Sequence, residues 1–419
     1  GGNITVPAGG DYDTPPINGS GHFKIDGGGH TITWESTANN HHLLGNTSPD
    51  ADAVYIELTN INLDRQDMNA AVGVYNGKIT LGKDVALSGQ DGNMILANGE
   101  KAALELGDGC ELSYAAGSSP CCASAWFGAI LVLNGGKTAA GAYIGLDCNF
   151  YPAVSYPLIS VPKALTGDVH LLLKMIGTTP VAQGIGNYQL TQADCDRLKV
   201  NPESTVSLYM GQRDKYDGNF ELHLDPAASF QIKLRPKNFT PPTSGNIDVT
   251  NMTDVVAQIT IRAALEAGHT DLKLTGELSK IGIGGQWGTF ANNTQITTCD
   301  LTEVTGWGTT PTLPELAFKD CTKLQEVTLP DGVQVIGEYA FIRCAALTTV
   351  NLSQVTRIDE YAFWECTSLT ALTLDNVTTI DHDAFYGCTG LETLKIPKCT
   401  WFGNYIVTGC KALTRIEAT

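Results

Sequence analysis

The side chains that could do chemistry lie thinly along the 419 residues. Asp26, Asp64 and Asp67, with Arg65 between the last two, come nearest to a catalytic set. Hydrolysis of a glycosidic bond needs two carboxylates at a working separation across the sugar. Elimination needs an acidic cluster to hold calcium and a Lys or Arg to take the proton. Asp26, however, falls in a Gly-rich turn and Asp64 and Asp67 just past a strand end, where carboxylates are ordinarily solvated. Before residue 165 the basic side chains are Lys24, Arg65, Lys78, Lys83, Lys101, Lys137 and Lys163, and they form no cluster. No catalytic residues are therefore expected.

The remaining reactive groups read the same way. His22, His30, His41 and His42 form a local group of imidazoles, but their spacing gives no reason for them to converge on a metal. Cys121-Cys122 follows Gly117-Ser-Ser-Pro120 and could pair with Cys110 or Cys148 in an oxidising compartment. Adjacent thiols on one buried coil are the expectation. Glycine runs such as Ile283-Gly-Gly285 lack the strand-to-helix setting and the Lys-Ser/Thr of a phosphate loop, so they are read as turns. Neither metal nor cofactor is expected.

What must position any functional group is clearest in the C-terminal part. Cys321, Cys344, Cys366, Cys388 and Cys410 are spaced by 23, 22, 22 and 22 residues. Around each runs Ala-Phe-x-x-Cys-x-x-Leu-x-x-Val-x-Leu, as in Ala340-Phe341, Cys344, Leu347, Val350 and Leu352. Ile336, Ile358 and Ile380 each stand five residues before their Phe. A degenerate copy precedes, with Phe290, Ile296, Cys299 and Leu301, and Asn293 where the cysteine would stand. Another follows, with Val407, Cys410, Leu413, Ile416 and Ala418. The Val-x-Leu segment has the period of a strand. The Ala-Phe-x-x-Cys-x-x-Leu segment has the spacing of a helical or 3₁₀ turn. Each unit is thus expected to be a strand plus a short helix, burying its apolar side chains against the next. The cysteines should stack as buried free thiols rather than gather as zinc ligands.

The runs Ile336–Leu347, Ile358–Leu369 and Ile380–Leu391 resemble the leucine-rich repeats of the BspA-like class, found on surface proteins of Bacteroides and related bacteria. The resemblance covers about residues 275–419. It implies a curved solenoid with an interaction surface, often in adhesion or recognition, and it carries no catalytic residues. Upstream, Thr253–Ala267 reads as a helix with Thr253 as N-cap, Asp254 in the first turn and Gly268 closing it. It is expected to cover the open end of the solenoid, with Leu272 and Leu274 in the first strand. Pro241-Pro242-Thr-Ser-Gly245 reads as a linker between a domain of residues 1–240 and one of residues 241–419.

The repeat also arranges aromatics. Two residues before the Phe position stand Tyr339, Tyr361 and Tyr405, and one residue after it Trp364 and Tyr386. Three residues apart, these positions share a face of a short helix. An outward aromatic row is what a carbohydrate or protein stacks upon, so these five residues are the candidate binding site. Tyrosines that merely cover gaps between repeats are the alternative. The strand face offers Thr328, Asn351, Thr373 and Lys395, suited to a broad protein contact.

Residues 1–235 are rich in Gly and Asn and short in helix signals. Ile79, Leu81, Val85 and Leu87 recur 25 residues later as Leu104, Leu106, Cys110 and Leu112, and Ile56, Leu58, Ile61 and Leu63 form an earlier version. Each is two period-2 strands broken by a turn, the rung of a parallel β-helix. Phe23-Lys-Ile-Asp-Gly-Gly-Gly-His-Thr-Ile-Thr-Trp34 resembles an opening rung of pectate-lyase-like right-handed β-helix proteins. Enzymes on that fold cleave polysaccharides, so the resemblance makes a polysaccharide lyase or glycoside hydrolase the first rival reading. After residue 140 the period fades into further coils or a closing sheet. Val169–Met175, Val206–Met210, Phe220–Leu224 and Phe230–Leu234 still read as strands, and Thr191–Leu198 as a helical turn.

The overall expectation is a mainly β chain with short helices, a β-helix-like domain followed by a leucine-rich repeat solenoid. The formal net charge of −18 works against nucleic acid, whose phosphates must be met by Lys and Arg. No apolar run approaches the ~20 residues that span a bilayer. The chain opens Gly1-Gly2 rather than with Met, which is expected of a processed or trimmed product. A non-enzymatic extracellular or cell-surface adhesion or recognition protein, binding a host or bacterial surface protein or glycan, is the expected function. A structural spacer is the remaining alternative.

Overall fold

The computed structural model describes residues 4–6, 21–34, 44–46, 50, 52–65, 72–89, 95–115, 121–147, 158–176, 181–201, 204–207, 214–215, 220–225, 231–285 and 288–418. They fall into two compact units, Gly1–Asn238 and Phe239–Thr419. The fold is mainly β with few short helices.

In the first unit successive strands stack coil on coil in three mainly parallel sheets. One inward ladder runs Ile56, Ile79, Leu104, Leu131, Ile159 and Ala182, each facing the next across the sheet. A second runs Val72, Ile95, Ala123, Ile144 and Leu171. All these side chains are buried, and removing each larger one from water contributes roughly 1.5–3 kcal/mol. Turns between strands put their third residue in the left-handed region, Asp84 at φ 56° and Gly109 at φ 74°, conformations that Gly and Asp tolerate best.

One register differs from the sequence expectation. Leu87 pairs with Tyr114, and Ala86 with Ser113, two residues further along than the 25-residue offset gives. A slip of two preserves which side chains face inward, so Leu112 stays in the core and Cys110 moves to the corner, still buried. Beyond residue 140 both alternatives occur in turn. Parallel coils continue through Tyr143–Asp147, Ile159–Val161, Val169–Ile176 and Ala182–Gly184. An antiparallel hairpin, Phe220–Asp225 with Gln231–Pro236, then pairs with Ala182–Gly184. Thr205–Ser207 is a strand, while Met210 and Phe230 lie outside the described residues. The helix Gln192–Arg197 carries a capping box between Thr191 and Asp194.

In the second unit the helix Asp254–Glu266 is capped by Thr253, and Gly268 follows at φ 88°. It is not simply a lid before the first strand. A strand Asn246–Asp248 precedes it and pairs in parallel with Asp271–Glu277, so the helix is the crossover between two strands. Only Ile247 and Val249 mark that strand, too short an alternation to stand out. Parallel strands then follow once per repeat, through Thr298–Thr305, Glu326–Thr328 and Thr349–Val350, and again through Ala371–Thr373, Thr393–Lys395 and Arg415–Glu417.

The Ala-Phe-x-x-Cys segment is not helical. Ile336, Ile358 and Ile380 lie in a second row of two-residue strands, Val335–Ile336, Arg357–Ile358 and Thr379–Ile380. The chain then proceeds through turns with a left-handed residue two before and two after each Phe: Tyr339 and Arg343, Tyr361 and Glu365, Asp383 and Gly387. Left-handed backbone costs a side-chain-bearing residue roughly 1–2 kcal/mol. It is held because the turns of adjacent repeats hydrogen-bond to one another. Phe341 N–H donates to Ala362 O at 2.8 Å, and Arg343 N–H to Trp364 O at 2.8 Å.

The core of this unit is a column of stacked rings, Phe290, Phe318, Phe341, Phe363 and Phe385, with centroids 5.1–5.5 Å apart. Beside it the thiols do more than fill space. Cys344 Sγ donates to Phe318 O at 3.0 Å, and Cys366 Sγ to Phe341 O at 3.1 Å. Each such carbonyl also accepts the N–H of its own repeat's cysteine, so both lone pairs are used. Burial pushes these thiols well above their ordinary range.

Candidate recognition surface

Of the five aromatics singled out by spacing, four come together. Tyr339 stacks on Tyr361 at 4.8 Å, Tyr361 meets Trp364 at 5.0 Å and 50°, and Trp364 stacks on Tyr386 at 4.3 Å. All four are half-buried. The left-handed turn rather than a helix brings them together. Tyr339 and Tyr361 stand at φ 56° and 57°, their N–H groups bonded to Glu360 O and His382 O of the following repeat. Tyr405 is 69% exposed and joins no ring stack among the described residues. Trp401, in the next copy, lies edge-on to His382 at 5.9 Å.

A row of carboxylates flanks the rings, and sequence reasoning missed it. Three residues before each Phe stand Glu315, Glu338 and Glu360, a periodicity as readable as that of the tyrosines. Burial raises the Glu338 carboxyl, and repulsion from Glu360, Glu315, Asp359 and Asp381 adds to it. Burial and then Glu360 raise Asp383, with His382 acting the other way. The neighbouring Glu360 carboxylate and then burial raise the Tyr361 hydroxyl, and Tyr339 is raised by burial and then by Glu338 and Glu360. Arg357 answers only part of this charge, pairing with Asp359 and with Asp381 at 3.8 Å. Among the described residues Glu315, Glu338 and Glu360 have no cation within ion-pair distance.

The strand face is more occupied than its polar sequence suggests. Asn351 donates to Leu329 O at 2.9 Å and accepts Leu329 N–H at 2.6 Å, and Lys395 pairs with Asp375 at 3.0 Å. Thr328 is half-buried and Thr373 exposed. A shallow groove of about 470 Å³ lies elsewhere on the repeats, lined by Thr322, Arg343, Ala345, Glu365, Thr367, Gly387, Thr389, Gly409 and Lys411.

In the first unit Asp26 and Asp64 are engaged in hydrogen bonds of the fold. Asp26 accepts Gly28 N–H at 3.0 Å and Asn60 Nδ2 at 3.3 Å, closing its turn, and Asp64 accepts Ser88 Oγ at 2.8 Å. Asp67 and the side chain of Arg65 lie outside the described residues. His22 stacks on Tyr55 at 4.4 Å, while His41 and His42 lie outside the described residues. No group of three metal-ligating side chains exists among the described residues. Cys122 is buried and donates to Tyr143 O at 3.3 Å. Cys148 and the Cys121 side chain lie outside the described residues. Ile283-Gly-Gly285 forms a bend, Gly285 N–H donating to Glu315 O. No helix among the described residues is long and apolar enough to cross a membrane.

Two solved structures were found similar over most of this chain. A leucine-rich cell surface protein from Faecalibacterium prausnitzii A2-165 is 15% identical, covering 96% of this chain and 88% of that one, with a TM-score of 0.28. The pneumococcal vaccine antigen PcpA is 13% identical, covering 99% and 83%, with a TM-score of 0.27. No curated protein matches the chain. The repeats themselves do match a family: residues 289–414 correspond to six copies of the BspA type leucine-rich repeat region.

Proposed function

We propose that this is an extracellular or cell-surface recognition protein, non-enzymatic and without cofactor, that adheres to a protein or glycan of a host or neighbouring bacterium through its repeat surface. The observation that carries the reading is the half-exposed run Tyr339–Tyr361–Trp364–Tyr386, built by four side chains from three consecutive repeats. Aromatic side chains supply large contact area at low entropy cost, which is why they dominate recognition surfaces. The match of the repeats to the BspA type supports the same reading, as does the occupation of Asp26 in a turn bond and of Asp64 in a cross-strand bond to Ser88.

The test is an array of host proteins, bacterial surface proteins and glycans probed with the full chain and with Trp364→Ala. Capture that drops at least ~10-fold in the variant, as for a central aromatic anchor, is the expected result. No capture at micromolar chain would favour a spacer. Release of oligosaccharides from any arrayed polysaccharide would favour an enzyme.

A further inference from the structure

The rings make the surface, and the charge beside them names its occupant. A guanidinium group has two ways to bind here. Its flat face packs on aromatic rings, and its edge donates paired hydrogen bonds to carboxylates. Rings and carboxylates run in adjacent rows, close enough that Glu338 and Glu360 act on the tyrosine hydroxyls. Two nearby cations are committed to other acids, while Lys319 lines the cavity beside Tyr339 with no ion pair among the described residues. Arg357 pairs with Asp359 and Asp381, and Arg343 with Asp320. Like charges that Arg357 answers only in part oppose folding, so their presence beside half-buried rings calls for a further positive partner.

We propose that the ring stack docks an arginine-bearing basic segment of a partner protein, guanidinium groups packing along the rim of the Tyr339–Tyr361–Trp364–Tyr386 stack while Glu338 and Glu360 accept their hydrogen bonds. This rests on the recognition reading above and deepens it. A neutral glycan would use the rings but leave the carboxylate row without purpose. An acidic glycan or nucleic acid would be repelled by that row, and by the chain's net charge of −18.

The test uses the full chain and a fluorescent peptide of alternating Arg and Gly, with Lys and citrulline versions of equal length. The Arg peptide should bind, the Lys peptide several-fold more weakly, and the citrulline peptide at least ~10-fold more weakly, because the neutral isostere keeps shape but loses charge. Trp364→Ala and the double variant Glu338→Gln/Glu360→Gln should each weaken the Arg peptide by ~10-fold or more. Glu326→Gln, a carboxylate lost from the strand face, should leave binding unchanged. The double variant should melt no lower than the parent, since it removes repulsion, so its loss of binding is not loss of fold.

Failure of the Arg peptide to bind at millimolar concentration overturns the proposal. So does equal binding of the citrulline peptide, or an equal loss in Glu326→Gln, which would mean attraction to net charge alone. An array that captures a neutral glycan, insensitive to Glu338→Gln/Glu360→Gln, would sink this inference while leaving the recognition reading intact. An empty array sinks the recognition reading itself.

Discussion

The two units bury their cores by the same coil-on-coil stacking but ask different things of each position. Along the first unit's ladder the residue changes from Ile56 to Leu104 to Ala182 without breaking the stack. An inward position there needs only an aliphatic group of fitting volume. In the second unit the matching column keeps one residue type, Phe, through five copies, and the thiol beside it reaches back to the previous copy's carbonyl. Identity is retained where a ring must stack on a ring and a donor must meet a fixed acceptor. Volume alone is retained where only burial is required.

That contrast should show in large-to-small substitutions. Phe363→Ala removes the ring between Phe341 and Phe385 and is expected to cost ~4 kcal/mol. Because each repeat touches only its neighbours, the loss should divide the array locally. Leu104→Ala in the first unit should cost ~3 kcal/mol. Hydrogen exchange read by mass spectrometry locates each effect. Protection lost across the repeats on either side of Phe363, with the first unit unchanged, is the expected pattern. Uniform loss in both units would contradict local stacking.

The next effect concerns polar closure, where the units differ in sign. Asp194 is 2% exposed and accepts from Leu165 N–H at 2.8 Å, Thr191 N–H at 2.8 Å and Oγ1 at 2.7 Å, and Tyr188 Oη at 2.5 Å. Burial alone would raise this carboxyl, but the hydrogen bonds from Tyr188, Leu165 and Thr191 outweigh it and hold it below the ordinary range. Asp194→Ala is expected to cost ~3 kcal/mol at pH 7. A lowered folded value means that the unfolded chain binds the proton first as pH falls. The Asp194 contribution is therefore full above the ordinary carboxylate range and fades as pH drops towards the folded value. Glu338 runs the other way: its raised carboxyl is a penalty at neutral pH, relieved as pH falls through its folded value. Thermal unfolding at pH 7 and at about pH 3 should thus show the Asp194→Asn penalty shrinking with acid. The benefit of Glu338→Gln should shrink as well. A penalty for Asp194→Asn that grew with acid would refute the assignment.

How much of this could be read from sequence follows the same divide. The ring column, the cysteine row and four of the stacked aromatics were readable because each recurs at a fixed offset from Phe. The turn geometry beneath them was not. Spacing by three fits a helix as well as a turn, and only the left-handed backbone at Tyr339 and Tyr361, sustained by bonds to the next repeat, decides between them. The row Glu315, Glu338 and Glu360 had a readable period, but its meaning depends on how few cations face it. In the first unit the fading period beyond residue 140 reflects strands spaced unequally along the sequence, which leaves inward parity intact while destroying any fixed offset. The closing hairpin switches to antiparallel pairing, which no coil repeat foretells.

The finest distinction between the units is a swap that conserves volume. Leu104→Met in the aliphatic ladder should cost under ~1.5 kcal/mol, since such positions tolerate any apolar group of similar size. Cys366→Val is as mild in size and polarity, and a thiol that only filled space would be replaced without loss. Here the thiol donates to Phe341 O at 3.1 Å, an oxygen that also accepts Cys344 N–H at 3.0 Å. Losing one of two donors should cost about 1 kcal/mol, the net worth of a typical hydrogen bond. The degenerate first copy supports this. Asn293 stands in the cysteine's place where no earlier Phe column member offers a carbonyl, and it spends its side chain on Gln295 and Ile296 N–H of its own turn. Urea titration of Cys366→Val against Cys366→Ser decides the matter. A serine that recovers part of the loss identifies the donor as the cause, whereas a valine as stable as the parent would reduce the cysteines to packing alone.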